Sequence, residues 1–152
     1  MISPGFKTKI KLHCLYLLEQ KKVSLLDSIK RVTEAANNET KSSAGDKHET
    51  SRAHMQLEQE KLSKQLNELN EQIEELSKIN IDIIQNNIGK GSLVKTQSAY
   101  IFIATGIGKI QIDQETVYVI SRESPLGKKI IGLNPGDKTA LNETEYVIES
   151  VQ

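Results

Sequence analysis

Leu62, Leu66, Leu69, Ile73 and Leu76 recur at intervals of four, three, four and three residues, the a/d spacing of a helix that buries one stripe against a partner. Leu15, Leu18, Leu25, Ile29 and Val32 follow a similar period upstream, with Lys22 as a polar interruption. The two series mirror each other. Leu15 with Leu76, Leu18 with Ile73, Leu25 with Leu66 and Ile29 with Leu62 all add to the same total, as partners must in a chain folded back on itself. The pattern predicts one antiparallel helical hairpin from about residue 12 to residue 80.

The turn formers Asn37-Asn38 and Ser42-Ser43-Ala44-Gly45 place the fold-back near Gly45 and Asp46. Asp46 then stands at an N-cap position, with Glu49 as its capping-box partner three residues on. Each arm of roughly 30 residues spans about 45 Å at the helical rise of ~1.5 Å per residue.

After Leu76 the heptads stop. Ile79, Ile81 and Ile83 alternate with polar residues until Gly89 and Gly91 break the chain. The expected organisation is a hairpin domain over residues 1–80, a linker over 81–90 and a β-rich domain over 91–152. Short β-like runs cover Leu93 to Thr96, Tyr100 to Ala104, Lys109 to Ile112, Thr116 to Ile120 and Tyr146 to Val151. One short helix is expected from Ser124 to Ile131, with Ser124 as cap, Pro125 in its first turn and Gly132 as its stop. The class is α+β.

Composition fits an extended molecule better than a compact one: 37% of residues are hydrophobic, 4% aromatic and 26% charged. Twenty basic residues balance twenty acidic ones, so no global field draws the chain to nucleic acid or an anionic membrane. Locally the arms differ. Lys7 to Arg31 holds seven basic side chains against Glu19 and Asp27, and its stretch from Lys21 to Arg31 is a candidate guide for RNA, whereas Glu58 to Glu75 is mostly acidic. No window approaches a membrane span and the start lacks a signal-peptide core, so a cytoplasmic protein without a membrane partner is expected. On that reading the acceptor patterns at Asn38-Glu39-Thr40 and Asn142-Glu143-Thr144 carry no meaning.

Little in the sequence resembles an active site. Cys14 lies in an apolar helical run and reads as a small core residue. His13, His48 and His54 share no metal-ligand spacing with it. Gly106-Ile107-Gly108-Lys109 lacks the remaining positions of a phosphate loop, and the β-rich half has neither histidine nor cysteine. What stands out is the tip, Gly45-Asp46-Lys47-His48-Glu49, with two carboxylates three residues apart on one helical face. Magnesium is commonly held by one or two protein carboxylates together with phosphate and water oxygens, so such a pair is a candidate magnesium site that alone would bind the ion weakly.

In its order of parts the chain resembles the Gre-type (GreA/GreB-like) transcript cleavage factors of bacterial RNA polymerase. Two stretches carry the resemblance: the tip, similar to the family's Gly-Asp-x-x-Glu, and Ser124-Pro125-Leu126-Gly127 followed by Gly132 and Pro135-Gly136-Asp137. The resemblance implies an FKBP-like C-terminal domain that docks on RNA polymerase, with Ser124, Pro125, Leu126 and Gly127 at the docking site. It further implies a hairpin that enters the secondary channel, where Asp46 and Glu49 help hold a magnesium ion of the polymerase active site near the nascent RNA 3′ end. Lys47, His48 and Arg52 are candidate tip contacts. On this reading the factor is not itself an enzyme and takes no small-molecule substrate. Thr50-Ser51-Arg52-Ala53 stands where the family has Asn-Ala-Glu-Tyr. Two alternatives stay open: a channel-binding regulator that does not stimulate cleavage, and a structural coiled-coil adaptor.

Overall fold

A computed structural model describes the backbone of residues 2–40 and 45–152, and the side chains of 2–38 and 49–152. The α+β class read from the sequence is what it has: two long helices, then a β-rich domain. The helices are α1 (Phe6–Thr40) and α2 (Gly45–Lys78). There follow β1 (Leu93–Thr96), β2 (Tyr100–Ile103), β3 (Gly108–Ile112), β4 (Glu115–Ile120), α3 (Pro125–Ile130), β5 (Lys138–Leu141) and β6 (Thr144–Val151). The chain divides into two compact units, one of residues 1–15 and 75–152 and one of residues 16–74.

The first unit is built on a six-stranded sheet of order β3-β4-β2-β1-β6-β5, antiparallel except where β2 runs parallel to β4. On one side Ile88, Val94, Ile101, Ile103, Ile130 and Ile148 form a continuous core, closed by Leu126 and Leu133 around α3. Leu93, Phe102, Val117 and Val119 are fully buried as well. Cross-strand register places Leu93, Phe102 and Val119 on one common face.

Helix α1 starts at Phe6, earlier than the leucine seam shows, because its first turns belong to this unit. Ile2, Phe6, Ile10 and Cys14 repeat every four residues and are all buried. The Phe6 ring meets Tyr100 edge-on at a centroid distance of 4.9 Å. One turn apart on the same helix, two lysines tie backbone ends. Lys7 Nζ donates to the main-chain oxygen of Gln152 at 3.0 Å, and Lys11 Nζ donates to Ser77 O at 3.1 Å and Ile79 O at 2.7 Å. The second contact satisfies carbonyls at the C-terminal end of α2, which have no partner within the helix. Burial of Lys7 lowers its pKa, against an opposing pull from Asp82.

In the second unit the helices meet along the expected seam. Leu18, Leu62 and Leu69 are buried, and Leu25, Ile29, Val32, Leu66 and Ile73 are half-buried. Gln59 Nε2 donates to Thr33 Oγ1 at 3.5 Å, consistent with the antiparallel pairing. At the base the register shifts by one residue: Cys14 is fully buried with Leu76, and Leu15 is only half-buried. Cys14 is thus the small core residue its setting suggested, and burial pushes its thiol up to about 12.

Two further departures have local causes. Strand β5 was not legible, because Lys138-Thr139-Ala140-Leu141 is short and lacks β-branched alternation. Its partner strand β6 returns through Asn142 and Glu143 at φ of 51° and 67°, the left-handed pair of a tight hairpin, without the usual glycine. Asp113 and Gln114 turn β3 into β4 the same way, at 51° and 68°. Helix α2 begins at Gly45, so Asp46 lies one residue inside it and not at its cap. The side-chain contacts of the expected capping box lie outside the described residues.

Candidate functional site

The tip sits at the N-terminal end of α2. Asp46 and Glu49 are three residues apart on a helix, so their backbone positions share one face of its first turns. Amide N–H groups there have no intrahelical acceptor and the helix dipole is positive, which favours negative charge at this end. Glu49 and Arg52 are exposed, and Arg52, three residues further on, continues the same face. The side chains of Asp46, Lys47 and His48 lie outside the described residues. Among the described residues no group of three or more acidic, histidine or cysteine side chains comes together as a metal site.

The Ser124-Pro125-Leu126-Gly127 stretch belongs to the other unit, and its chemistry is mostly spent on its own fold. Ser124 caps α3: its hydroxyl accepts from the Gly127 N–H at 3.0 Å and donates to Ser121 O at 2.7 Å. Pro125 opens the helix, where a missing N–H costs nothing. Gly127 is buried, and a Cβ on it would lie 2.2 Å from Ser121 O, so no side chain fits. Leu126 packs on the core. Of the four, Pro125 alone is exposed. The outward chemistry around α3 comes from Lys128, Lys129 and Ile131, which the sequence reading did not select; basic residues in the last turn of an expected short helix were the available signal.

On α1, Lys21, Lys30 and Arg31 are exposed and Lys22 half-buried. Arg31 is paired with Asp27 one turn earlier, which reduces the net charge of that face. Between the helices of the second unit lies an open groove of about 460 Å³. Leu25, Leu62 and Leu69 form its floor, with Ser24 and Ser28 at its margin. Among the described residues, no helix is long and apolar enough to cross a membrane.

No family model matches the chain, and no curated protein matches it. Among solved structures, the transcription factor Gfh1 is similar at 17% identity and a TM-score of 0.36, over 90% of this chain and 92% of that one. Thermus aquaticus Gfh1 is similar at 14% identity and a TM-score of 0.33, over 84% of this chain and 91% of that one.

Proposed function

We propose that this protein is a Gre-type transcription elongation factor that binds RNA polymerase through its secondary channel and stimulates cleavage of backtracked RNA. The observation that carries the reading is the placement of Asp46 and Glu49 on one face at the start of a 34-residue helix. Such a helix runs about 50 Å at ~1.5 Å per residue. At the opposite end of the helix Lys11 donates to the main-chain oxygens of Ser77 and Ile79.

In this reading Asp46 and Glu49 supply two of the oxygens around a magnesium ion shared with the polymerase, which remains the enzyme. When bound, that ion lowers the pKa of a water and stabilises a leaving oxygen. Helix α2 places the two carboxylate positions on one face, while the β-rich unit, with Lys128, Lys129 and Ile131 around α3, makes the docking contacts. Lys47, His48 and Arg52 are the proposed contacts to the nascent RNA 3′ end or to the polymerase.

Arg52 favours a second reading. An exposed guanidinium one turn from Glu49 competes for the carboxylate and adds positive charge where an ion must sit, as in a regulator that occupies the channel without stimulating cleavage. Stalled, backtracked elongation complexes separate the two. Acceleration of cleavage by the wild type and not by the Asp46→Asn, Glu49→Gln double variant supports the cleavage factor. Binding of both proteins without acceleration supports the regulator. Absence of binding leaves a structural adaptor and removes the polymerase from the picture.

A further inference from the structure

Residues 79–92 join α2 to β1 without forming a helix or a strand. Connections of this kind, here with Asn86, Asn87, Gly89 and Gly91, are ordinarily mobile because their backbone groups bond to water. This one is bonded to the protein at both ends and in its middle. The main-chain oxygen of Ile79 accepts from Lys11 Nζ of α1 at 2.7 Å. Ile88 donates its N–H to Leu133 O at 2.9 Å and accepts from the Gly132 N–H at 2.7 Å, which ties it to the turn behind α3. The Gly91 N–H donates to Ile103 O at 2.7 Å, at the end of β2. Ile79, Ile88 and Ser92 are buried. A Cβ on Gly91, whose φ is 87°, would lie 3.0 Å from Ile79 Cγ2, so the two ends of the segment pack against each other.

One side-chain pair closes the loop. The hydroxyl of Ser92, wholly buried, accepts from the Gly89 N–H at 2.9 Å and donates to Gln85 Oε1 at 2.5 Å. Gln85 Nε2 donates in turn to Lys90 O at 3.0 Å, and the Ser92 N–H donates to Gly89 O at 3.0 Å. We propose that residues 85–92, packed on Ile79, form a rigid joint locked by the Gln85–Ser92 pair, which keeps the end of α2 fixed on the sheet unit and moves with it as one body. The joint continues into the helix, because the Ile79 N–H donates to Leu76 O at 3.2 Å and Leu76 is itself fully buried. Ile83 and Ile84, 54% and 81% exposed, form an excursion outside the lock.

NMR of the full chain, by ¹⁵N relaxation and native-state amide hydrogen exchange, tests it without reference to any partner. The expected order parameters over residues 85–92 match those of the sheet, about 0.85, while Ile83 and Ile84 fall below them. The Ile88, Gly89 and Gly91 amides are expected to exchange as slowly as amides of β1 and β2, and the Ile84 amide to exchange fast. Ser92→Ala removes both bonds of the hydroxyl, and Gly89 exchange is expected to rise on the order of tenfold with β2 and β4 unchanged. Gln85→Ala breaks the same lock from the partly exposed side and is expected to do likewise, which keeps the test intact if loss of the buried hydroxyl unfolds the chain. Order parameters below about 0.6 across 85–92, or Gly89 exchange that neither substitution alters, overturn the proposal.

Discussion

The sheet unit and the hairpin unit are stabilised by different means. In the sheet unit Ile10, Cys14, Leu76, Leu93, Val94, Phe102, Ile103, Val117, Val119 and Ile130 are wholly removed from solvent. In the hairpin unit, among the described residues, Leu18, Leu62 and Leu69 are buried, and the rest of the seam is half-exposed around an open groove. A two-helix layer has only one contact face per helix, so it cannot reach the packing density of a sheet covered on both sides. Burial is therefore concentrated in the unit that holds α3, and the helices of the other unit depend on a long, shallow seam. On the proposed function, the two tip carboxylates are placed by the geometry of α2.

The largest effects that sharpen this contrast are core truncations. Phe102→Ala is expected to cost about 4 kcal/mol, the range for a buried aromatic, whereas Leu66→Ala in the half-exposed seam costs about 1.5 kcal/mol. Urea denaturation measures both, and equal losses would erase the distinction between the units. Next comes Gly127→Ala, where the added methyl meets the Ser121 carbonyl and forces the backbone apart. A loss of about 3 kcal/mol is expected by the same measurement. Gains of this size are not available in the sheet unit, but the groove offers a smaller one. Ser28→Leu, at the margin of Leu25, Leu62 and Leu69, is expected to add about 1 kcal/mol.

The smallest effect is one of pH. The Cys14 thiol titrates near 9.0 when exposed and about 12 when buried, so above pH 9 the unfolded chain binds fewer protons than the folded one and stability falls with rising pH. Lys7 acts in the other direction. Its lowered folded pKa means that the unfolded chain binds more protons below 10.5, and its contribution rises with pH up to that value. Cys14→Ala removes the first slope and keeps the second. Denaturation midpoints at pH 8 and pH 10.5 are expected to fall less for the variant than for the wild type.

What could be read beforehand follows from periodicity. The hairpin was legible because its seam repeats over many turns, and β1 to β4 because their residues are β-branched and bounded by glycine and aspartate. The first turns of α1 were not. Ile2, Phe6 and Ile10 make too short a series among Lys7, Lys9 and Lys11, and they bury only because the sheet lies beneath them. The one-residue difference between Leu15 and Cys14 likewise depends on where the helices leave the two-helix layer, which no heptad count contains. At the candidate site the acidic pair and the Ser-Pro-Leu-Gly stretch were both visible, but their roles were not equally so. The structure shows Ser124 as a helix cap, Leu126 packed on the core and Gly127 at a close backbone approach, leaving Lys128, Lys129 and Ile131 exposed.

The central claim, that the tip contributes carboxylate to a shared ion, is tested most directly by the magnesium dependence of RNA cleavage in backtracked complexes. Wild type and Glu49→Gln are compared across a magnesium titration. The expected result is that the variant needs several-fold more magnesium to reach half of its maximal rate, because one anionic ligand is lost. Identical magnesium dependence for the two proteins would contradict the claim, and would assign Glu49 to the start of α2 and to nothing beyond it.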